Sequence, residues 1–179
     1  EMYVIERLIK TVCEMDYPID RLEIQVLDDS TDETVEIVDN IVKEYKLQGF
    51  DIHHIHRTDR SGYKAGALKE GLKVAKGEFV GIFDADFIPR KNFPKIVLPF
   101  FKDPKIGMVQ TRCEHLNRAY SLVTQIQALA LDGHFVLEQQ VRNKAGYFIN
   151  FNGTSGVWRK ECIFDAGNWE ADTLTEDLD

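Results

Sequence analysis

Residues 77–87 read Gly-Glu-Phe-Val-Gly-Ile-Phe-Asp-Ala-Asp-Phe. Phe79, Val80, Ile82 and Phe83 make a short, almost unbroken apolar run after a glycine, the pattern of a strand buried on both faces of a parallel sheet. The run ends in acid. Side chains alternate along an extended chain, so Asp84 and Asp86 are expected on one face with only the Ala85 methyl between them. Two carboxylates that close raise one another's proton affinity unless a cation neutralises them, and hard oxygen donors suit Mg²⁺ or Mn²⁺. The competing reading is a turn that the two aspartates open before Pro89. Position favours the metal, because open α/β sheets bind ligands beyond the carboxyl ends of their strands.

Upstream of this strand the periodicity alternates between helix and sheet. Ile5, Leu8, Ile9, Val12 and Cys13 fall at helical spacing, and Tyr17-Pro18 closes that helix. Leu22, Ile24 and Val26 alternate with Glu23 and Gln25, a strand that delivers Asp28 and Asp29 at its end. Ser30 with Glu33 fits a capping box for a helix carrying Val35, Val38, Ile41, Val42 and Tyr45. Residues 51–57 read as another strand, and a loop through Arg60, Ser61 and Gly62 leads to a helix with Ala65, Leu68, Leu72 and Ala75. Strand, helix, strand, helix, strand in so short a span predicts right-handed crossovers and a mostly parallel, twisted, doubly wound sheet flanked by helices.

Downstream, Phe93, Ile96, Val97, Phe100 and Phe101 predict a helix that Pro99 should disturb. Ile106 to Thr111 is a further strand. Residues 121–141 predict one long helix, too polar to span a bilayer, whose apolar face (Leu122, Ile126, Leu129, Val136, Leu137) reads as core rather than as a surface lying on a membrane. Tyr147 to Trp158 reads as strand and loop near the site. No repeat, linker or low-complexity segment appears, so residues 1–179 are taken as one domain.

Composition narrows the class. A hydrophobic share of 44% and a charged share of 29% are those of an ordinary soluble globular chain. The net charge of −8 argues against a nucleic-acid partner, so any phosphate must be gripped locally. Cys13, Cys113 and Cys162 are too few and too widely spaced for a disulfide or zinc pattern and suggest reduced thiols. No apolar run is long enough to cross a bilayer and no signal peptide opens the chain. Both ends read as cut: the chain begins at Glu1 inside an apparent helix and stops just after an acidic cluster.

Several residues carry two readings. Asp28 and Asp29 either stabilise the following helix end or accept hydrogen bonds from a nucleobase or ribose. Lys64 is either a solvated lysine or, with the amides of a helix start, faces an anion. His53 faces away from His54 and His56 on a strand, so ligation by all three is geometrically poor, and they are expected to coat a strand surface. In Thr173 to Asp179, Thr175 caps a helix with acids in its first turn. Asp177 held there can also serve as a general base, with Glu176 beside it.

Six segments match a family pattern in order: Val26-Leu-Asp-Asp-Ser-Thr-Asp, Arg60-Ser-Gly-Tyr-Lys-Ala-Gly-Ala-Leu, Phe83-Asp-Ala-Asp-Phe, Val109-Gln-Thr-Arg, Phe151-Asn-Gly-Thr-Ser-Gly-Val-Trp-Arg and Thr175-Glu-Asp. On these the chain resembles the processive family 2 glycosyltransferases, the group that includes cellulose synthase and the cellulose-synthase-like mannan and glucan synthases. The resemblance implies a GT-A fold that binds a nucleoside diphosphate sugar, UDP-glucose or GDP-mannose, with Mg²⁺ or Mn²⁺. It casts Asp29, with Asp28 beside it, at the base; Lys64 at the phosphates; Asp84 at the ribose and metal side; Asp86 on the cation; and Asp177 as the base that deprotonates the acceptor hydroxyl of a growing β-linked polysaccharide, with inversion. Gly153, Thr154, Ser155 and Trp158 would shape the sugar pocket.

The family's first strand is expected before Glu1, leaving a gap in the sheet. Its Gln-X-X-Arg-Trp segment and transmembrane helices are expected after Asp179. The full-length protein would then sit on the cytoplasmic face of a plasma or Golgi-type membrane, while residues 1–179 alone would be soluble and poorly active. Two other readings stay open: a non-processive family 2 transferase acting on a lipid or protein, and a non-catalytic nucleotide-sugar sensor. A dinucleotide oxidoreductase fits worse, since no Gly-X-Gly-X-X-Gly follows a strand.

Overall fold

The structure, a computed structural model of the chain, describes residues 1–170. Its elements run α1 (Ile5–Cys13), β1 (Glu23–Asp28), α2 (Thr34–Leu47), β2 (Asp51–His56), α3 (Tyr63–Val74), β3 (Phe79–Ile82), α4 (Phe93–Val97), β4 (Met108–Gln110), α5 (Leu122–Asp132), α6 (Gln140–Lys144), β5 (Gly156–Arg159) and α7 (Lys160–Asp165).

β1 and β2 pair in parallel, from Glu23 opposite Asp51 to Asp28 opposite His56. Alternation along β1 turns Ile24 and Val26 to one face, where they meet Ile5, Leu8 and Ile9 of α1, Val38 and Val42 of α2, and Ile52 of β2. Val38 and Ile52 are fully buried, each worth about 1.5–3 kcal/mol of apolar transfer. α3 covers the opposite face of β1. A Cβ at Gly71 would stand 2.7 Å from Gln25 Oε1 and 2.8 Å from Leu27 Cδ2, so the missing side chain is what lets the helix lie against the strand. Helices on both faces of a parallel pair make the α/β layering that the sequence predicts.

The other strands form a second sheet in the order β3, β5, β4, with β5 antiparallel to both neighbours. Met15, Phe93, Val97, Phe101 and Val157 build its core against Phe79 and Phe83. Among the described residues no ladder joins this sheet to β1–β2. β3 is therefore not the expected doubly buried strand of a parallel sheet: among the described residues it pairs only with β5, antiparallel, Ile82 is its one buried residue and Gly81 is exposed.

Two further expectations are corrected. The helix after β1 begins at Thr34, not Ser30: Glu33 is its N-cap residue without a side-chain cap bond, and Asp32 Oδ1 accepts the Thr34 N–H at 3.0 Å. Ser30 instead turns its N–H back to Asp28 Oδ1 at 2.8 Å, an Asx turn that competes with capping. A capping box does occur at Ser121 and Thr124, opening α5.

α5 continues through a π-helical turn, Gly133–Gln139, into α6, so the long helix is present. Its apolar face is not core. Leu122 is 72% and Leu129 66% exposed, whereas the buried positions are Ala128, Phe135 and Gln139. The helix is anchored by another edge, where Asp132 pairs with Arg112 at 2.6 Å and Arg118 at 3.1 Å. Spacing identifies an apolar stripe but not what covers it. After Phe93, the α-helix stops at Val97 and gives way to a 3₁₀ segment, Leu98–Lys102, as Pro99 requires.

Candidate active site

β3 ends at Ile82, and the chain turns at once: the Phe87 N–H donates to Asp84 O at 2.9 Å. The extended geometry expected to put Asp84 and Asp86 on one face is thus replaced by a turn, and the contacts of the two residues differ. The Asp84 N–H donates to Thr154 Oγ1 at 2.9 Å. Lys64 Nζ donates to Asp84 Oδ1 at 2.7 Å and to Gly153 O at 2.8 Å. One ammonium therefore ties the first turn of α3, the end of β3 and the loop before β5. Asp86 is exposed and lines a cleft of about 440 Å³ with Cys113, His115, Leu131 and Thr154. Among the described residues its carboxylate has no ion-pair partner.

The Gly153-Thr154-Ser155 turn is held in an unusual backbone. Gly153 has φ 74° and Ser155 φ 57°, the latter left-handed for a residue with a Cβ. Its fixings are many. The Ser155 N–H donates to Ile82 O at 2.8 Å, and the Thr111 N–H donates to Ser155 O at 3.1 Å. Gln110 Nε2 donates to Thr154 O at 3.0 Å, while its Oε1 accepts the Asn152 N–H at 3.0 Å. From the π-helical turn, His134 Nε2 lies 3.0 Å from Asn152 Oδ1. Gln110, Thr111 and His134 received no role from sequence reasoning, although Val109-Gln-Thr-Arg stood among the matched segments. Trp158, on β5, packs edge-on against Phe151 at 5.6 Å and Trp169 at 5.9 Å.

Asp28 and Asp29 part company. Asp29 is gripped by Arg57, whose Nε donates to Oδ1 at 2.7 Å and whose Nη2 donates to Oδ2. The same guanidinium reaches Ser61 O at 3.2 Å and Tyr63 O at 2.9 Å, next to Lys64. Hydrogen bonding to Asp29 raises the Arg57 pKa above its ordinary value. A Cβ at Gly66 would meet Ser61 O at 2.1 Å and Arg57 Nη1 at 2.7 Å, so this glycine makes room for the arrangement.

Asp28 is buried and faces β2. His54 Nε2 lies 3.0 Å and His56 Nδ1 3.4 Å from its Oδ2. Burial raises its pKa, but hydrogen bonds from Ser30 and His54 outweigh that and hold it below the ordinary carboxylate range. Asp28, His54 and His56 bring ligand atoms within 4.8 Å of one another, a group able to hold a metal ion. His53 points away to Asp51 at 2.7 Å. Strand alternation separated His53 correctly, but sequence reasoning missed Asp28 as the third member. Cys113, in the cleft, has its thiol pushed up to about 11 by burial and by nearby Asp84. Glu176, Asp177 and Thr175 lie outside the described residues.

A family model described as Glycosyl transferase family 2 matches residues 3–164. Glucomannan 4-beta-mannosyltransferase 1 of Cyamopsis tetragonoloba is 42% identical over the whole chain, and glucomannan 4-beta-mannosyltransferase 2 of Arabidopsis thaliana 44%. The chain spans about a third of these curated relatives, 35% and 34% respectively. Among solved structures, mannosyltransferase PcManGT from Pyrobaculum calidifontis, in complex with GDP-Man and Mn²⁺, matches with a TM-score of 0.79 at 27% identity, covering 99% of this chain and 46% of that one. S. aureus TarS 1-349 in complex with UDP-GlcNAc matches with a TM-score of 0.69 at 20% identity over 98% of this chain and 47% of that one, a likeness of fold alone. The layering described above is that of a GT-A-like fold.

Proposed function

The chain belongs to glycosyl transferase family 2, and we propose that the protein it comes from transfers mannosyl units from GDP-mannose to a hydroxyl of a growing β-linked polysaccharide, with inversion. The observation that carries this reading is Lys64 joined to both Asp84 and Gly153 beside the cleft that Asp86 lines. The curated relatives' mannosyltransferase names and the GDP-Man in PcManGT favour mannose over the UDP-glucose alternative.

The donor set suits a hard dication. Asp86 offers carboxylate oxygens to the cleft, and Asp84 keeps Oδ2 beyond its bond to Lys64. Mg²⁺ or Mn²⁺ held by Asp86 and Asp84 would supply neutralising charge for the diphosphate. Lys64 contributes a fixed ammonium where negative charge grows as the diphosphate leaves, a site already oriented and needing little reorganisation. Asp29, steadied by the Arg57 fork, accepts hydrogen bonds from the base; Asp28, behind it, supports that strand end. Asp177, flanked by Glu176, takes the proton of the acceptor hydroxyl as the new C–O bond forms and the bond to the diphosphate breaks on the opposite face. Thr154 and Ser155 fix the floor under the sugar, and Trp158 backs that turn.

The exposed apolar face of α5 supports a location against a membrane surface, although among the described residues no helix is long and apolar enough to cross one. The test is product analysis. Membranes carrying the full-length protein, given labelled GDP-mannose with Mn²⁺ or Mg²⁺, should build a polymer that an endo-β-1,4-mannanase degrades. Labelling from UDP-glucose alone, or addition of one sugar to a lipid or protein, overturns it.

A further inference from the structure

We propose that Asp28, His54 and His56 form a second divalent-cation site, made of other residues than the Asp84 and Asp86 pair and selective for a borderline-soft ion such as Zn²⁺. The parallel ladder of β1 and β2 fixes the ligands: His56 is the cross-strand partner of Asp28, and His54, two residues earlier on β2, faces the same way. Both imidazoles aim a nitrogen at one oxygen, His54 Nε2 at 3.0 Å and His56 Nδ1 at 3.4 Å from Asp28 Oδ2. Ligands about 2.0–2.1 Å from a tetrahedral ion are separated by roughly 3.3 Å, so an ion fits between these atoms with little movement.

The surroundings suit that use. Asp28 Oδ1 is already committed to the Ser30 N–H at 2.8 Å, which leaves Oδ2 facing the imidazoles. The other nitrogen of His54, Nδ1, lies 3.8 Å from Asp39 Oδ1 on α2, where a carboxylate can orient the ring from behind. Side-chain exposure rises outward, from 4% at Asp28 and 10% at His54 to 31% at His56, so the ion has an entry and an open fourth position. Two imidazoles with one carboxylate suit Zn²⁺ or Co²⁺ better than Mg²⁺ or Mn²⁺, which prefer all-oxygen shells. An ion here pins the carboxyl ends of β1 and β2 together, directly before Asp29 on one strand and Arg57 on the other.

Titration of the chelator-treated protein with Co²⁺ tests this, because a four-coordinate site with nitrogen ligands shows intense visible d–d bands, whereas those of hard octahedral sites are weak. One equivalent should develop the bands, Zn²⁺ should abolish them, and an equal concentration of Mn²⁺ should not. His56→Ala, at the exposed edge, should weaken Co²⁺ binding by more than 100-fold with unchanged circular dichroism; His56→Gln serves if the alanine variant does not fold. Asp39→Asn should weaken it 10- to 100-fold, the range of an outer-shell partner, and Asp86→Asn should leave it intact. Absence of the bands in the wild-type protein, their persistence in a folded His56 variant, or their loss in Asp86→Asn overturns the site and leaves an ordinary hydrogen-bonded cluster.

Discussion

Lys64 Nζ stands 2.7 Å from Asp84 Oδ1, an ion pair joining residues 20 positions apart, with the side chains 31% and 41% exposed. At that exposure the pair contributes about 0–1 kcal/mol to stability. Its consequence is positional: with Gly153 O also accepting from it, the ammonium is held between the end of β3 and the loop before β5.

Lys64→Met should therefore lower kcat of the full-length enzyme by about 10²–10³, the usual cost of removing one oriented transition-state group. Its thermal midpoint should hardly move. Steady-state kinetics beside a melting curve checks both. A loss of stability with normal turnover of the folded fraction would make Lys64 a structural residue.

Arg57→Lys keeps the charge but loses the planar fork on Asp29 and the reach to Tyr63 O. The expected result is donor affinity weaker by about tenfold, or about 1.4 kcal/mol, with the acceptor KM unchanged. Arg57→Met leaves Asp29 without its partner and should cost about 1–3 kcal/mol of stability in urea titration.

Gln110 clamps the turn before β5 by contacts with Asn152 and Thr154. Gln110→Leu should destabilise the protein by about 1–3 kcal/mol through unpaired backbone groups, and should lower kcat because the floor beside Asp84 shifts. A variant of normal stability and normal kcat would remove Gln110 from the account.

The Cys113 thiol, raised to about 11 by burial and Asp84, stays protonated in the folded protein at pH 8. An unfolded thiol ionises near about 8.5, so the stability this group contributes is present below that pH and is lost as pH rises towards about 11. Iodoacetamide should label Cys113 about 10²-fold more slowly than a free thiol at pH 8, with the rate climbing tenfold per pH unit. Mass spectrometry of the labelled peptide checks it; free-thiol rates at pH 8 would contradict the environment described.

The sequence was legible where one segment's own pattern decides its structure. The helical spacing from Ile5 to Cys13 and the alternation from Leu22 to Val26 depend on burial of a single face, and both elements form as expected. It was illegible where partners are distant. Nothing near Asp29 announces Arg57, 28 residues on. Asp28 joins His54 and His56 only once β1 and β2 are in register. The turn after β3 was obscured because Phe83 continues the apolar run beyond the last paired residue, Ile82. The α5 stripe shows the opposite limit: its periodicity was read correctly and its burial was not.

Binding of GDP-mannose tests the central claim most directly, namely that the Lys64, Asp84 and Asp86 cluster holds a cation and a diphosphate together. Isothermal titration of the full-length protein should show binding with Mn²⁺ that weakens at least tenfold without it. Asp86→Asn should weaken binding to a similar degree at unchanged stability. Equal affinity with and without Mn²⁺, or in a folded Asp86→Asn variant, would contradict the account.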